Sequence, residues 1–464
     1  MSERFDALVV GGGVEGLVAL TFLAKAGLHV GLLEPAPTAP AAAATLNALD
    51  PLVVKQLKLA KHGLKFAQRD LSLTALRHGG ASAVVSRDRH ATAKSLAALS
   101  QADALAYAGF RHDLYTLARA LRLCWWDGRP MAEALVILKP RLRALFERLS
   151  VTSASSFLAA AFESDALRAA LAFTAADCGA APPEAGSALA LLWAAAQEMS
   201  GLQGAVAIPK DGGLLQALSE AAQASGGAIR TGATVARLTL AAGAVTGVEL
   251  ASGEIVAAPL VLCALSRRRT LLDLLQPGEI GFGAARALDR APEPFGCATL
   301  LFTLNPVFDT GMSVGTRAVI AERPETYEVA LAAIRTGAMP REPALELVML
   351  PSGTGAARLL TVRAWPVALS YDRNALARTV TAMIERHASG FAQAVMNCDV
   401  QAPPDGEPFT LARLQAGAAE RIETPVRGLL LCGIDAEPVH ALSGRAARQA
   451  AGMAVARHIR ARLA

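Results

Sequence analysis

Three glycines near the start of the chain have the spacing of a dinucleotide-binding turn. The apolar segment Phe5–Val10 predicts a strand, and Gly11, Gly13 and Gly16 follow it directly before a helical pattern. The first glycine permits a tight turn, the second lets the backbone approach a pyrophosphate, and the third lets the helix pack on the strand. Because N–H groups at a helix start attract phosphate, this pattern predicts binding of the ADP half of a dinucleotide.

An acid at the end of the next strand narrows the choice of dinucleotide. The apolar segment Leu28–Leu33 ends in Glu34, eighteen residues after Gly16. A carboxylate at this place accepts hydrogen bonds from a ribose 2′-OH and repels a 2′-phosphate. The expected ligand is therefore FAD or NAD, and not NADP.

Glu15 is an unusual member of the turn, because it adds negative charge close to two phosphates. An acid in the first turn of a helix also favours the helix dipole. Two interpretations are open: an outward-facing cap, or a residue that weakens or alters phosphate binding.

The C-terminal part carries a second candidate site. The apolar segment Gly428–Gly433 predicts a strand, and an amphipathic helix runs from Ser443 to Leu463. Its start is a further anion or dipole site, which in a flavoprotein faces the pyrimidine end of the isoalloxazine. Between them, Glu437 and His440 are the candidate catalytic acid or base, with a structural role as the alternative for each.

Composition indicates a protein of two domains that does not bind nucleic acid. The chain has 464 residues, of which 53% are hydrophobic and 18% charged. The net charge of +5 comes from scattered arginines, and aromatic residues make up only 5%, unlike a nucleic-acid-binding protein. The alanine-rich, apolar balance suits a subunit interface, in a homo- or hetero-oligomer, or a shallow membrane contact.

The location and the cysteines can also be predicted. No apolar run reaches the roughly 18 residues of a membrane span, and Met1–Asp6 lacks the features of a signal peptide. We therefore expect a cytoplasmic protein, with the periphery of the inner membrane as an alternative location. Six widely spaced cysteines without metal-ligand spacing predict free buried thiols, Cys432 among them, and no metal site.

The middle of the chain predicts helices followed by strands. Residues from about 90 to 200 are mostly helical by periodicity. Short strands are expected around Ala228–Arg230, Val235–Leu240, Val245–Leu250 and Ile255–Cys263, where the chain re-enters the nucleotide domain. Residues 291 to 410 alternate strands such as Ala298–Leu304, Leu345–Leu350 and Leu359–Ala364 with a helix near Ala375–Ala388, which predicts an antiparallel sheet with helices.

Five segments in chain order resemble the phytoene dehydrogenase-like branch of the FAD-dependent amine oxidase superfamily: Val9–Ala19, Leu57–Leu64, Ile208–Gly213, Gly247–Gly253 and Gly433–Ala447. The resemblance spans nearly the whole chain. It implies an α/β fold in which a discontinuous Rossmann-type FAD-binding domain carries an inserted α+β substrate domain. It also implies hydride transfer from a small apolar substrate to flavin. The expected FAD-binding segments are 1–75, 200–290 and 415–464, and the expected substrate domain consists of 76–199 and 291–414.

The residues and the resemblance together give a set of cofactor-binding positions. By the resemblance, Val235 holds the adenine through its backbone. The whole set is Gly11, Gly13, Val14, Glu15, Gly16, Glu34, Val235, Gly433, Asp435, Leu442 and Ser443.

Two departures from the family pattern fall where the flavin half of FAD is held. Pro37–Thr45 lacks the usual glycine pair, and alanine methyl groups obstruct a close backbone approach. Ala436–Gly444 is short and glycine-poor, and Glu437 stands where a histidine is usual. Three hypotheses follow: an FAD-dependent oxidoreductase acting on a C–C or C–N bond, a non-catalytic homologue that serves as a complex subunit or binding protein, and an NAD-linked dehydrogenase.

Overall fold

The computed structural model describes residues 4–36, 45–46, 49–68, 71–78, 82–122, 124, 129–199, 205–208, 213–290, 294–314, 316–351, 356–403, 405–407, 409–438 and 444–463. Strands and helices are numbered in chain order within these residues. The strands are β1 (Ala7–Val10), β2 (Val30–Glu34), β3 (Thr45–Leu46), β4 (Lys65–Gln68), β5 (Ser72–Leu76), β6 (Ala83–Val85), β7 (Ala205–Ile208), β8 (Ala228–Thr231), β9 (Val235–Ala241), β10 (Ala244–Leu250), β11 (Ile255–Ala257), β12 (Val261–Cys263), β13 (Phe295–Leu304), β14 (Thr316–Ile320), β15 (Ala344–Leu350), β16 (Arg358–Ala368), β17 (Val395–Gln401) and β18 (Leu429–Leu431).

The helices are α1 (Val14–Lys25), α2 (Pro51–Gln56), α3 (Arg89–Ala97), α4 (Gln101–Ala120), α5 (Met131–Ile137), α6 (Pro140–Val151), α7 (Ala154–Ala159), α8 (Asp165–Asp177), α9 (Leu189–Met199), α10 (Gly213–Ala224), α11 (Pro277–Ile280), α12 (Phe282–Asp289), α13 (Glu325–Arg335), α14 (Arg373–Glu385), α15 (Phe391–Ala394), α16 (Leu411–Gln415), α17 (Ala418–Ile422) and α18 (Arg445–Leu463). Short 3₁₀ turns cover Leu59–His62 and Ile434–Ala436, and a π-helical turn covers Arg269–Asp273. None of the described helices combines the length and the apolar character needed to cross a bilayer.

A five-stranded parallel sheet forms the centre of the first domain, in the order β18-β12-β1-β2-β8. Val10 at the end of β1 lies opposite Cys263 on one side and Leu33 on the other. The strand order reverses beside β1, because the chain continues through β2 to one edge and returns through β12 and β18 to the other. Ligands of such sheets bind at the carboxyl ends of the strands at this reversal. Gly11 and Glu34 both lie at that edge.

The second domain is built on a seven-stranded sheet in the order β17-β13-β16-β15-β14-β5-β6. All its neighbours pair antiparallel except β14 and β5, which are parallel. Helices α4, α8 and α9 pack in one apolar cluster with strands of this sheet, and α14 packs in another. The predicted α/β class, with a parallel nucleotide-binding sheet and an antiparallel sheet with helices, is confirmed.

The first domain has an apolar core of its own. Residues from 5 to 64, from 214 to 285 and from 422 to 454 contribute to one apolar core. Strand β5 already pairs in the seven-stranded sheet, so the predicted boundary at residue 75 falls inside a strand of the second domain.

One predicted strand is wrong. Ile255–Cys263 was expected as a single strand, but it forms β11 and β12, which belong to different sheets. Pro259 lies between them and has no N–H to donate to a sheet. This break allows the chain to pass from the small antiparallel sheet of β9–β11 into the parallel sheet.

Candidate functional site

The glycine turn between β1 and α1 has the geometry that its residue types predict. Gly11 has a φ of +103°, a conformation that residues with a side chain rarely adopt. A Cβ on Gly16 would lie 1.9 Å from the carbonyl oxygen of Gly11, so glycine is required for this close approach of helix and turn. A Cβ on Gly13 would meet no protein atom within 4 Å. The turn is therefore open on the side of Gly13, where a phosphate would approach the helix start.

Glu34 lies against this turn. Its Oε2 accepts a hydrogen bond from the N–H of Gly12 at 2.5 Å, and its Oε1 accepts one from the N–H of Ala36 at 3.3 Å. A Cβ on Gly12 would lie 2.8 Å from the same Oε2. The glycine at position 12, which the spacing argument did not single out, is thus what lets the carboxylate reach the turn.

A cavity of 280 Å³ opens at this edge of the sheet. Gly11, Glu34 and Val235 all line it, together with Thr234 and Arg269. The structure thus brings together residues that are more than 200 positions apart in the sequence. Their distribution around one cavity fits the adenosine part of a dinucleotide. The assignment of Val235 to the adenine stays a prediction.

The two residues that follow the turn are both buried. Val14 packs in the core of the nucleotide domain, so only its backbone is available to a ligand. Glu15 is only 4% exposed. The interpretation of Glu15 as an outward-facing cap is therefore wrong, because its side chain points inward from α1 toward the start of α18.

Glu15 and Glu437 form a buried carboxylate pair at the N-terminus of α18. Glu15 Oε1 accepts a hydrogen bond from the N–H of Gly444 at 3.2 Å, and Glu437 Oε1 accepts one from the N–H of Ala446 at 2.8 Å. Burial raises the pKa of Glu15 well above its ordinary value, and the neighbouring Glu437 raises it further, against a lowering by the Gly444 hydrogen bond. Glu15 Oε2 is buried and has no hydrogen-bond partner among the described residues.

This pair bears directly on whether a whole FAD fits. At the ADP half, the open side of Gly13 and the cavity beside Glu34 fit the cofactor. At the start of α18, where the sequence predicts the pyrimidine end of a flavin, two N–H groups already bond to side-chain carboxylates. The described residues fit a flavin ring there less well than they fit ADP, since an electron-rich ring edge would face two acids.

The loop after β18 places the other C-terminal residues. A Cβ on Gly433 would lie 2.4 Å from the carbonyl oxygen of Ala264, so this glycine is required for a close backbone crossing. Asp435 is buried, and its carboxylate accepts hydrogen bonds from the N–H groups of Arg267 at 2.6 Å and Glu407 at 2.7 Å. Both carboxylate oxygens of Asp435 thus accept hydrogen bonds from the backbone. The cofactor roles of Gly433 and Asp435 stay predictions.

The remaining candidates lie outside the described residues. These are His440, Leu442 and Ser443, as well as residues 37–44 of the glycine-poor segment after Glu34. Cys432 is buried in the core, as its apolar surroundings predict. Of the six free thiols, Cys398 is the most accessible.

Two buried arginines hold the same loop, and sequence reasoning missed them. Arg413 donates to the carbonyl oxygen of Glu437 at 3.0 Å and also to that of Ile434. Arg421 donates to the carbonyl oxygen of Ala436 at 3.0 Å, and burial lowers the pKa of Arg421 to about 10. No short motif signals these contacts, because donor and acceptor are 15 to 24 positions apart.

Comparisons with known proteins agree with this architecture. No protein-family model matches the chain. It is 28% identical to the mouse pyridine nucleotide-disulfide oxidoreductase domain-containing protein 2, over 97% of this chain and 93% of that protein.

Two solved structures extend the comparison. A redesigned putrescine oxidase triple mutant covers 100% of both chains, with a TM-score of 0.66 and 16% identity. Cyclohexylamine oxidase from Brevibacterium oxydans covers 99% of this chain and 100% of its own, with a TM-score of 0.56 and 15% identity. The phytoene dehydrogenase branch stays a prediction, but the chain shares the two-domain fold of these two amine oxidases.

Proposed function

We propose that this protein is an FAD-dependent oxidoreductase that transfers a hydride from a C–H group of a small apolar substrate to flavin and so oxidises a C–C or C–N bond, as in the phytoene dehydrogenase-like proteins that it resembles. The observation that carries the proposal is the turn that is open at Gly13, together with the cavity lined by Gly11, Glu34 and Val235. A turn of this form, at the reversal of a parallel sheet, suits the pyrophosphate and ribose of a dinucleotide.

The chain's own residues would hold and orient the cofactor. The N–H groups at the start of α1 would bind the pyrophosphate, and Gly16 keeps the helix close enough for this. Glu34 would accept hydrogen bonds from the ribose hydroxyls, and Val235 would border the adenine. Bound FAD supplies the hydride acceptor, which no amino-acid side chain can provide. Hydride transfer from a C–N group leaves a cationic imine and needs no protein base, whereas oxidation of a C–C bond also releases a proton, which would pass to water.

The names of the similar proteins support an oxidoreductase and leave the substrate open. The mouse relative is named for an oxidoreductase domain. The two solved structures are oxidases of amines. The proposal therefore includes both C–N and C–C oxidation. Association with other subunits or with a membrane surface also remains a proposal from composition.

A second candidate function is favoured by the carboxylate pair. Glu15 and Glu437 supply, from within the chain, the negative groups that the start of α18 attracts. A protein in which side chains complete this helix end can keep the fold without a flavin. In that case it would be a complex subunit or binding protein. An NAD-linked dehydrogenase is the third candidate, because the glycine turn and Glu34 suit either dinucleotide.

Flavin content separates these candidates. The protein, purified without added cofactor, is expected to show flavin absorbance near stoichiometry, or to take up FAD on titration in preference to NAD. Gly13→Glu places a carboxylate in the open space of the turn without a backbone clash, and it should abolish this binding. Gly452→Glu is the matched control, because Gly452 is also exposed and also has open space around it.

Each outcome favours one candidate. Flavin that is present in the wild type and in Gly452→Glu, but absent in a folded Gly13→Glu, supports the proposal. A folded wild type that takes up neither FAD nor NAD, and is recovered in complex with another chain, contradicts it and favours the binding protein. Saturable binding of NAD alone favours the dehydrogenase.

A further inference from the structure

Two adjoining cavities in the second domain form a cationic cleft with an apolar end. The outer cavity of 590 Å³ and the inner cavity of 110 Å³ share Arg87, Tyr107, Arg111, Tyr115 and Glu198 in their walls. Both volumes are well above the roughly 10–15 Å³ that one water requires. We name this pair of cavities the arginine cleft.

Helical periodicity explains how the arginine cleft is built. One face of α4 supplies Tyr107, Arg111 and Tyr115, which are four residues apart. One face of α9 supplies Leu191 and Glu198, which are two turns apart. Residues at these spacings project to the same side of a helix, so the cleft lies between two rigid walls.

The outer cavity carries an excess of positive charge. Arg87, Arg89, Arg111 and Arg119 line it, and Glu198 is the one acid among the lining residues that the structure describes. Arg111 forms an ion pair with Glu198 at 2.5 Å, so the positive charge of Arg111 is offset by the negative charge of Glu198. Arg89 and Arg119 are exposed at the mouth and form no ion pair with any described residue. A carboxylate between these guanidinium groups would gain charge-assisted hydrogen bonds.

The inner cavity is mainly apolar. Leu73, Phe110, Leu114 and Leu191 line it, behind the two shared tyrosines. Burial raises the pKa of Tyr107 and of Tyr115, so both hydroxyl groups stay protonated at neutral pH. An alkyl end would be desolvated in this part of the cleft, which favours its binding.

The arginine cleft is one helix away from the start of α18. Trp193, on another face of α9, has its ring under the guanidinium of Arg445, 5.5 Å from the ring centroid. Arg445 is held in turn by an ion pair with Asp50 at 3.0 Å. The wall of the cleft and the N-terminus of α18 are therefore linked through α9.

We infer that the arginine cleft binds a small amphipathic anion, with its carboxylate at Arg89 and Arg119 and its alkyl end in the inner cavity. That the bound molecule is also the substrate rests on the proposed function, whereas the binding itself does not. The same charges disfavour a cationic amine. A concave site with an apolar end suits a single molecule better than the flat surface of a lipid bilayer.

Calorimetry on the 464-residue protein with three ligands of equal chain length tests the inference. Decanoate should bind, while decylamine and 1-decanol should bind at least about tenfold more weakly, since they lack the anion. Hexanoate should bind more weakly than decanoate, because less of its chain is buried. The affinity for decanoate should fall as ionic strength rises.

Charge reversal locates the site. Arg89→Glu and Arg119→Glu are each expected to weaken decanoate binding by about tenfold or more. Arg290→Glu, at an exposed position outside the cleft, is the matched control and should leave it unchanged. All three substituted positions are exposed. Circular dichroism verifies that the variants are folded.

Several results would overturn the inference. These are equal affinity for the three ligands, decanoate binding that neither reversal weakens, or arginine-dependent binding to anionic phospholipid vesicles with none to decanoate. Flavin content, read from the visible spectrum of the same samples, reports separately on the proposed function. A protein that binds FAD but not decanoate would refute only the arginine cleft.

Discussion

Replacing Glu15 with glutamine should stabilise the protein at neutral pH. Glutamine has nearly the same shape as glutamate, and its carbonyl oxygen can keep the hydrogen bond from the N–H of Gly444. Its NH₂ group takes the place of Oε2, which is buried in the wild type and accepts no hydrogen bond from a described residue. The substitution also removes the repulsion between Glu15 and Glu437.

The size of the effect follows from two principles. A buried acceptor without a partner costs about 1–3 kcal/mol, and more when it is charged. Burial, and then Glu437, raise the pKa of Glu15 in the folded protein above the ordinary value of 4.5. Between these two pKa values the folded protein holds a proton that the unfolded chain has released, so stability falls as pH rises. Within this window the loss approaches about 1.4 kcal/mol per pH unit.

The assay is urea unfolding from pH 4 to pH 8.5, followed by circular dichroism, with flavin content matched between samples. Glu15→Gln and wild type should differ least near pH 4, where the carboxyl group is mostly neutral in both the folded and the unfolded state. Above pH 4.5 the variant should become increasingly more stable. Glu133→Gln is the matched control, because Glu133 is also in a first helical turn but is exposed. Glu133→Gln should show the same pH dependence of the free energy of unfolding as the wild type.

The reasoning would be refuted by a difference between Glu15→Gln and wild type that stays constant with pH. It would equally be refuted by a variant that is less stable than wild type at pH 8. Glu437→Gln adds a further comparison. This substitution should shorten the pH range over which stability falls without removing it, since burial is a larger cause of the raised pKa of Glu15 than Glu437 is.

Two other substitutions test the packing on which both domains depend. Gly16→Ala should destabilise the protein by about 1–3 kcal/mol and weaken dinucleotide binding, because its Cβ would clash with the Gly11 carbonyl oxygen. The control Gly452→Ala, at an exposed position in α18, should be neutral or stabilising. Equal effects of the two substitutions in urea unfolding would contradict this prediction. Glu346→Ala should cost about 3–5 kcal/mol, since Glu346 is fully buried and pairs with Arg317 and Arg363. Glu254→Ala, which removes the exposed pair with Arg230, should have a much smaller effect on the same transition.

The ADP half of the site could be predicted from the sequence because local rules determine it. Gly11, Gly13 and Gly16 serve a turn of six residues, and Glu34 ends the adjacent strand, so short-range spacing specifies their geometry. Periodicity likewise indicated strands in the two largest sheets, among them β13, β15 and β16 of the seven-stranded sheet. The error at Ile255–Cys263 came from reading one apolar run as one strand although Pro259 interrupts it.

The C-terminal half could not be predicted in the same way, because its contacts join distant parts of the chain. Glu15 reaches Gly444, 429 positions away, and Asp50 reaches Arg445, 395 positions away. A glutamate in a first helical turn is ordinarily a solvated residue that favours the helix dipole. Only the packing of α1 against α18 turns it inward, and single-sequence patterns do not contain that packing.

This arrangement determines which measurement can decide the function. Glu15 and Glu437 satisfy two N–H groups at the start of α18, those of Gly444 and Ala446, so this helix can dock on α1 without a ligand at these two groups. The protein is then expected to fold whether or not flavin is bound. A high unfolding temperature is consequently no sign of a bound cofactor, and a loss of flavin in Gly13→Glu need not lower stability much. Flavin absorbance, rather than stability, therefore distinguishes an oxidoreductase from a binding protein of the same fold.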